Sequence, residues 1–227
     1  MELRETVALC CRMLAMEGLI DYSGHVSARE PETGHFLIHS RLASRLEVTA
    51  KDIVPVDIDA RPIDPEMEPP VETALHTEVF RVRDDVGSVI HVHSPWAATW
   101  SLTSTEFPAA CGHAAIFADG VPNLEEARHV RDRERGQRVA AALGEHRALL
   151  LRGHGAVVVG ATVAEAFAAA LHLEENALKL FHASLLGQVR PLPTDQLEDL
   201  ARGWPTRTVP KIWAYAVSKA RHQGLWP

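Results

Sequence analysis

Ser88-Val89-Ile90-His91-Val92-His93-Ser94 is a short run of β-branched and apolar residues interrupted by two histidines. The run reads as a strand. Side chains alternate across a strand, so His91 and His93 share one face and Ile90 and Val92 take the other. Two imidazoles on one face can chelate a single ion. A second segment, Arg152-Gly153-His154-Gly155, sets a histidine between glycines at a bend, where backbone can approach a centre closely. Three histidine ligands would leave a coordination position open, the pattern of a catalytic rather than a structural site. His-x-His alone fits solvated residues of an edge strand equally well. Structural zinc sites typically use Cys, and no Cys lies near these histidines in sequence. Glu72 and His76 lie four apart on one predicted helix face. A carboxylate beside a metal can act as general acid or base, although a solvated surface Glu reads the same way.

Working outward, Leu3, Val7, Cys10 and Leu14 recur at helical spacing, and Gly18 can end that helix. Ser23-Gly24-His25-Val26-Ser27 reads as a tight turn into a strand. Phe36-Leu37-Ile38 and Ile53 to Val56 are further short strands, and Thr49-Ala50-Lys51-Asp52 resembles a capping box. Pro69-Pro70 introduces a helix from Val71 to about Val82. The stretch from Phe107 to Asn123 reads mostly as loop. Arg131 to Leu143 is helical, and Ala148–Leu151 and Ala156–Val159 are spaced like a hairpin. Thr162-Val163-Ala164-Glu165 caps a long helix through about Leu186. Interleaved helices and short strands with hairpin spacing point to antiparallel pairing in an α/β sandwich. The spread of apolar segments favours a single domain over residues 1–227. The Pro-rich tail, about residues 190–227, carries two short helices and reads as a docking arm for subunit contacts.

Composition narrows the function classes. The 227 residues include 23 Lys plus Arg against 30 Asp plus Glu, a formal charge of −7. That weak acidity argues against a nucleic-acid binder, which needs a basic face. The three cysteines form no framework and suit a reducing compartment. No apolar run approaches the roughly 18 to 20 residues of a membrane helix. Charges at Glu2, Arg4, Glu5 and Arg12 break any signal-peptide core, so a cytoplasmic protein is expected. Thirteen histidines against two tyrosines is the unusual count, and it directs attention to metal chemistry.

In this order and spacing, the segments resemble the class II aldolase/adducin family. Its Ser-Gly-Asn-Val-Ser turn corresponds to Ser23 through Ser27, and its Glu-x-x-x-His helix to Glu72 and His76. Its Arg-x-Asp strand with His-x-His-Ser corresponds to Arg83, Asp85, Val89, His91, His93 and Ser94. Its His-Gly hairpin corresponds to Leu151, His154, Gly155 and Gly160. The resemblance runs from about residue 3 to about residue 186. It implies a three-layer α/β/α sandwich around a mostly antiparallel sheet. It also implies one divalent ion per subunit, zinc or manganese with cobalt or iron compatible, on His91, His93 and His154. Glu72 would be the acid/base. The resemblance further implies a homo-oligomer, often a tetramer, with sites near subunit interfaces. Adducin-like binding modules lack these metal histidines, and this chain keeps all three.

Sugar-phosphate members hold phosphate with that Asn, a Thr-Pro-Thr/Ser-Gly loop and a Ser-Ser pair. Here those pieces read His25, His39-Ser40-Arg41-Leu42 and Pro70-Val71. A buried phosphate without those donors is poorly satisfied. His25, His39, Ser40 and Arg41, with Arg45 nearby, are the substrate-binding candidates, and an Arg fork suits a carboxylate. This altered loop, and Cys111-Gly112-His113-Ala114-Ala115, are similar to the subgroup that decarboxylates hydroxylated aromatic or pyridine carboxylates. His113 becomes a candidate proton donor. The expected activity is metal-dependent decarboxylation of such a small-molecule carboxylate, with aldol cleavage or epimerisation of a sugar derivative as the alternative. Trp96 and Trp100 are expected to pack, and His172 and His182 to lie at the surface or an interface.

Overall fold

The computed structural model describes residues 1–226. Seven strands form one sheet in the order β3-β2-β1-β4-β7-β6-β5. They are β1 (His25–Arg29), β2 (Phe36–His39), β3 (Ile53–Val56), β4 (Ser88–Val92), β5 (Asn123–Leu124), β6 (Ala148–Leu151) and β7 (Gly155–Gly160). All neighbours pair antiparallel except β5 and β6. The short β5 and a 3-10 helix at Gly112–Phe117 lie in the stretch that the sequence reads as loop. They are held from outside the segment: Leu150 N–H donates to the Pro122 carbonyl at 2.8 Å, a contact that local pattern cannot reveal.

Strand alternation sorts the core into two layers. Ile90 and Val92 join Val26, Ala28, Ala156 and Val158 against helices α1 (Leu3–Met16) and α5 (Val163–Leu186). Val89, Val157, Val159, Leu149 and Leu151 face α2 (Thr73–Val82) and α4 (Arg133–Leu143). The result is helix, sheet, helix, as a sheet with two apolar faces requires. His91 falls in the row of Val89, so the second layer is apolar at its centre and imidazole-lined at one end.

The turns carry their own chemistry. Gly18 closes α1 at φ +71°, a conformation that glycine adopts without strain. Arg83 grips Asp85 with two hydrogen bonds of 2.7 Å and also donates to the Gly144 carbonyl, which fixes the entry into β4. Thr162 caps α5 by accepting from Glu165 N–H at 3.1 Å. α3 (Pro95–Ser101) follows β4 directly, and Glu174 of α5 accepts from the first-turn N–H groups of Trp96 and Ala97 at 2.9 Å.

The tail packs on the body of the same chain. α6 (Thr194–Arg202), a π-helical turn at Trp204–Thr208 and α7 (Val209–His222) return to the body. Trp204, Val209, Ala216 and Ala220 are buried in the α1/α5 layer, and Lys219 pairs with Glu17 at 2.9 Å. No helix among the described residues is long and apolar enough to cross a membrane.

Candidate metal centre

The end of β4, the start of β1 and the β6–β7 turn meet at one end of the sheet, because His25 pairs with His91 and Ala156 with Val92. His91 is fully buried, and its Nδ1 lies 3.1 Å from the Ala156 carbonyl. A carbonyl only accepts, so Nδ1 carries the proton and Nε2 presents a lone pair. His93 sits one residue beyond β4. Its Nε2 lies 3.1 Å from His91 Nε2, with the rings at 83°. The His154 ring stands 4.9 Å from that of His91 and 5.3 Å from that of His93. Both His154 nitrogens are buried with no hydrogen-bond partner among the described residues. Gly155 is required here: a Cβ would lie 2.2 Å from the Val92 carbonyl and 3.1 Å from the His93 ring.

Glu72 ends the loop before α2 and is 3 % exposed. Its Oε1 accepts from Val130 N–H at 2.8 Å. Its Oε2 lies 3.8 Å from His91 Nε2, 3.9 Å from His154 Nε2 and 3.5 Å from His129 Nδ1. Ligand atoms of His91, His93 and His154 lie within 4.8 Å of one another, as do those of Glu72, His129 and His154. Burial pushes His91, His93 and His154 below the usual imidazole range, with neighbouring imidazoles adding to the shift on His91 and His154. Neutral imidazole is the ligating form. Two nitrogens bound to one tetrahedral zinc would stand about 3.4 Å apart, close to the observed 3.1 Å. The orphaned His154 nitrogens, the facing Nε2 atoms and the hydrogen bond orienting His91 suit a divalent ion with an open position.

The other candidates fall in different places. His25 stacks on His91 at 5.4 Å and stands 6.0 Å from His39 and 5.7 Å from His76. All three are buried, and His25 Nδ1, His39 Nε2 and His76 Nε2 have no partner among the described residues. Burial lowers His39 to about 4 and His76 to about 3. His76 faces Ser27, with Nδ1 2.7 Å from Oγ, rather than sharing the metal-facing side with Glu72. Ser40 is held by the Asp52 carbonyl at 2.7 Å. Arg41 is half exposed and paired with Glu68 at 2.5 Å. His113 is not brought to the trio within one chain. Its ring stacks on His172 at 4.6 Å and its Nδ1 meets Glu175 at 2.7 Å, against α5 and the opposite layer. His172, expected at the surface or an interface, is instead inside the chain. It is 3 % exposed and accepts from Trp204 Nε1 at 3.2 Å. Trp96 and Trp100 pack, against Phe181 and Phe107.

His129 is the residue that sequence reasoning missed. It stands 5.5 Å from His154 on a loop pinned by Glu126, which Arg128 and Arg138 grip at 2.8–3.0 Å. Those contacts, led by Arg128, hold the Glu126 carboxyl down at about 2. An irregular loop offers no periodicity from which His129 could have been read.

Fold and site together define a class: a mostly antiparallel α/β sandwich with a histidine cluster at the end of its central strand. Residues 5–180 match the model of the Class II Aldolase and Adducin N-terminal domain. The chain belongs to the class II aldolase/adducin family. It is 32% identical over 241 residues to a 3,4-dihydroxyphthalate decarboxylase of Arthrobacter keyseri, covering 98% of this chain and 95% of the relative. It is 28% identical to a 5-deoxy-D-ribulose 1-phosphate aldolase of Bacillus thuringiensis serovar kurstaki, covering 88% and 94%. An aldolase II superfamily protein from Pseudomonas syringae superposes with a TM-score of 0.85 at 23% identity, covering 98% of this chain and 93% of that one.

Proposed function

We propose that this chain is a metal-dependent carbon–carbon lyase that decarboxylates a hydroxylated aromatic carboxylate. His91, His93 and His154 hold one divalent ion per subunit, zinc or manganese, and Glu72 is the acid/base. The carrying observation is a buried and two half-buried imidazoles, all three with unpartnered or facing nitrogens, gathered beside the free oxygen of a buried carboxylate that lies 3.8 Å from His91 and 3.9 Å from His154. The named decarboxylase, similar over almost the whole chain, supports the choice of reaction. The absence of the Asn, Thr-Pro-Thr/Ser-Gly and Ser-Ser pieces supports it against a sugar phosphate. Aldol cleavage is the second reading, favoured by the aldolase relative.

A bound divalent ion would supply Lewis-acid polarisation of substrate oxygens. The chain's own residues do the rest. The Ala156 carbonyl fixes the His91 tautomer, and Val130 N–H pins Glu72 Oε1 so that Oε2 faces the reacting centre. Carbon dioxide leaves with its bond pair remaining on the ring carbon. A proton from the Glu72 carboxyl at Oε2 then completes the C–H bond, and water returns a proton to Glu72. His129 stands beside the same oxygen and helps to hold that proton. The buried His25, stacked on His91, and His39 beside it are candidates for the polar groups of the substrate. We further propose a cytoplasmic homo-oligomer, built partly through the tail.

The test is carbon dioxide release from ortho-hydroxylated aromatic carboxylates by zinc- or manganese-loaded protein. Release that needs metal and is lost in Glu72→Gln is expected. No release with metal bound, and aldehyde formation from sugar derivatives instead, selects the aldolase reading.

A further inference from the structure

Three guanidinium groups are buried in this fold, and they differ in what satisfies them. Arg12 donates through Nε, Nη1 and Nη2 to the carbonyls of Val48, Leu225 and Glu47. Arg83 is closed by Asp85 and the Gly144 carbonyl. Arg45 is 6 % exposed and donates only from Nε to the Gly24 carbonyl at 3.1 Å and from Nη1 to the Ala43 carbonyl at 2.5 Å. Its Nη2 has no hydrogen bond and the group has no acidic partner within ion-pair distance among the described residues. The stem and Nε edge are therefore buried while Nη2 faces the adjoining cavity, and a guanidinium edge left open in this way offers its donors to an anion.

Arg45 lines a cavity of about 570 Å³ between the α1–β1 turn and the loop after β2, with Ile20, Asp21, Tyr22, Leu42 and Ser44 in its walls. The cavity lies beside the histidine trio. Asp21 Oδ1 is 3.9 Å from His93 Nδ1. Gly24, whose carbonyl Arg45 holds, packs so tightly on His91 that a Cβ there would stand 3.1 Å from the His91 carbonyl. Asp21 is itself more than half exposed and its Oδ1 accepts from Ser23 N–H, so it stands at the rim rather than closing on Arg45. Arg41, four residues earlier, lines the same cavity but is already paired with Glu68 at its half-exposed outer side.

We propose that Arg45 is the specificity-determining residue, and that its Nη2 receives the carboxylate which remains on the ring, so that the chain selects aromatic dicarboxylates over monocarboxylates. This rests on the decarboxylase reading for the identity of the second carboxylate, which is the one lost at the trio. The open edge of a guanidinium takes a carboxylate through parallel N–H donors, a geometry that Lys cannot supply.

The experiment is calorimetric titration of the protein, with and without zinc, using benzene-1,2-dicarboxylate and benzoate as unreactive probes and inorganic phosphate as a third ligand. The dicarboxylate is expected to bind at least about tenfold more tightly than benzoate, as a charge-assisted hydrogen bond warrants. Arg45→Gln abolishes that preference, and Arg45→Lys reduces it severalfold. Unchanged zinc affinity in both variants shows that the trio is intact. Arg45→Lys carries the test if Arg45→Gln does not fold. No preference in the wild-type protein, or a preference kept in Arg45→Lys, overturns the assignment. So does phosphate that binds more tightly than the dicarboxylate through Arg45. A preference that survives while carbon dioxide release fails condemns the reaction and leaves Arg45 standing. Release without the preference does the reverse.

Discussion

Two histidine clusters flank the central sheet, and each brings three potential ligand atoms within reach of one ion. One is His91, His93 and His154, and the other is His113, His172 and Glu175. Their hydrogen bonding separates them. In the second cluster His172 Nδ1 accepts from Trp204 Nε1, His113 Nδ1 meets Glu175, and the other Glu175 oxygen pairs with Lys179 at 2.6 Å. The polar atoms close on one another, and such a network rigidifies the packing of α5 against the tail. In the first cluster two His154 nitrogens are orphaned and two Nε2 atoms face each other. Proximity of ligands is common, whereas buried lone pairs left without donors are rare and need an explanation. Chemistry is therefore expected of the first cluster and a packing role of the second.

Loss of a single imidazole is expected to disable the first cluster and leave the second untouched. His93→Ala lowers zinc affinity by about a hundredfold or more, beyond the usual cost of losing an outer contact, while metal-free melting stays near that of the wild type. Zinc titration by calorimetry checks it, and a variant that binds zinc as the wild type does would remove His93 from the ligand set. Next in size is Glu72→Gln. It retains zinc and slows turnover about 10²- to 10⁴-fold, the range for a positioned proton donor. A single-turnover measurement showing an unchanged chemical step would transfer the role to His129.

The first cluster was legible because regular structure carries periodicity. His91 and His93 share a face through the two-residue repeat of β4, and His154 is marked by its flanking glycines. Glu72 is marked by the start of α2. The rest depends on contacts between segments. His172 sits on a helix whose spacing says which residues share a face but not that Trp204, 32 residues later, covers that face. Arg41 and Arg45 belong to one irregular loop, where only tertiary packing decides that the first turns to Glu68 and the second to Gly24. The tail reads as an arm from its prolines, yet Val209, Ala216 and Ala220 bury one face of α7.

Acid reaches His172 of the second cluster and the buried His39, the neighbour of His25 near the first. His39 and His172 are lowered to about 4, chiefly by burial, against an unfolded value near 6.5. Each is neutral when folded, so the unfolded chain binds more protons between those values. Stability is complete above about pH 6.5 and falls as pH drops towards about 4, where the loss levels off for these groups. The loss is on the order of 1–3 kcal/mol for each site. Urea unfolding of metal-free protein at pH 7, 5.5 and 4.5 measures it. A flat profile would mean that these rings take up protons in the fold as readily as in the unfolded chain.

A modest change at His172 separates packing from chemistry, because its ring stands within reach of His113 and Glu175 as a metal ligand would. His172→Ala removes the acceptor of Trp204 Nε1 and the ring on which His113 stacks. The expected result is a loss of about 1–3 kcal/mol in stability from an unsatisfied buried donor and a small cavity. Zinc stoichiometry stays at one per chain, since the trio lies on the other face of the sheet. Denaturant midpoints and bound zinc are measured on the same preparation. A wild-type stoichiometry of two that drops to one in His172→Ala, with stability unchanged, would make the second cluster a metal site and end the distinction drawn from its closed hydrogen bonds.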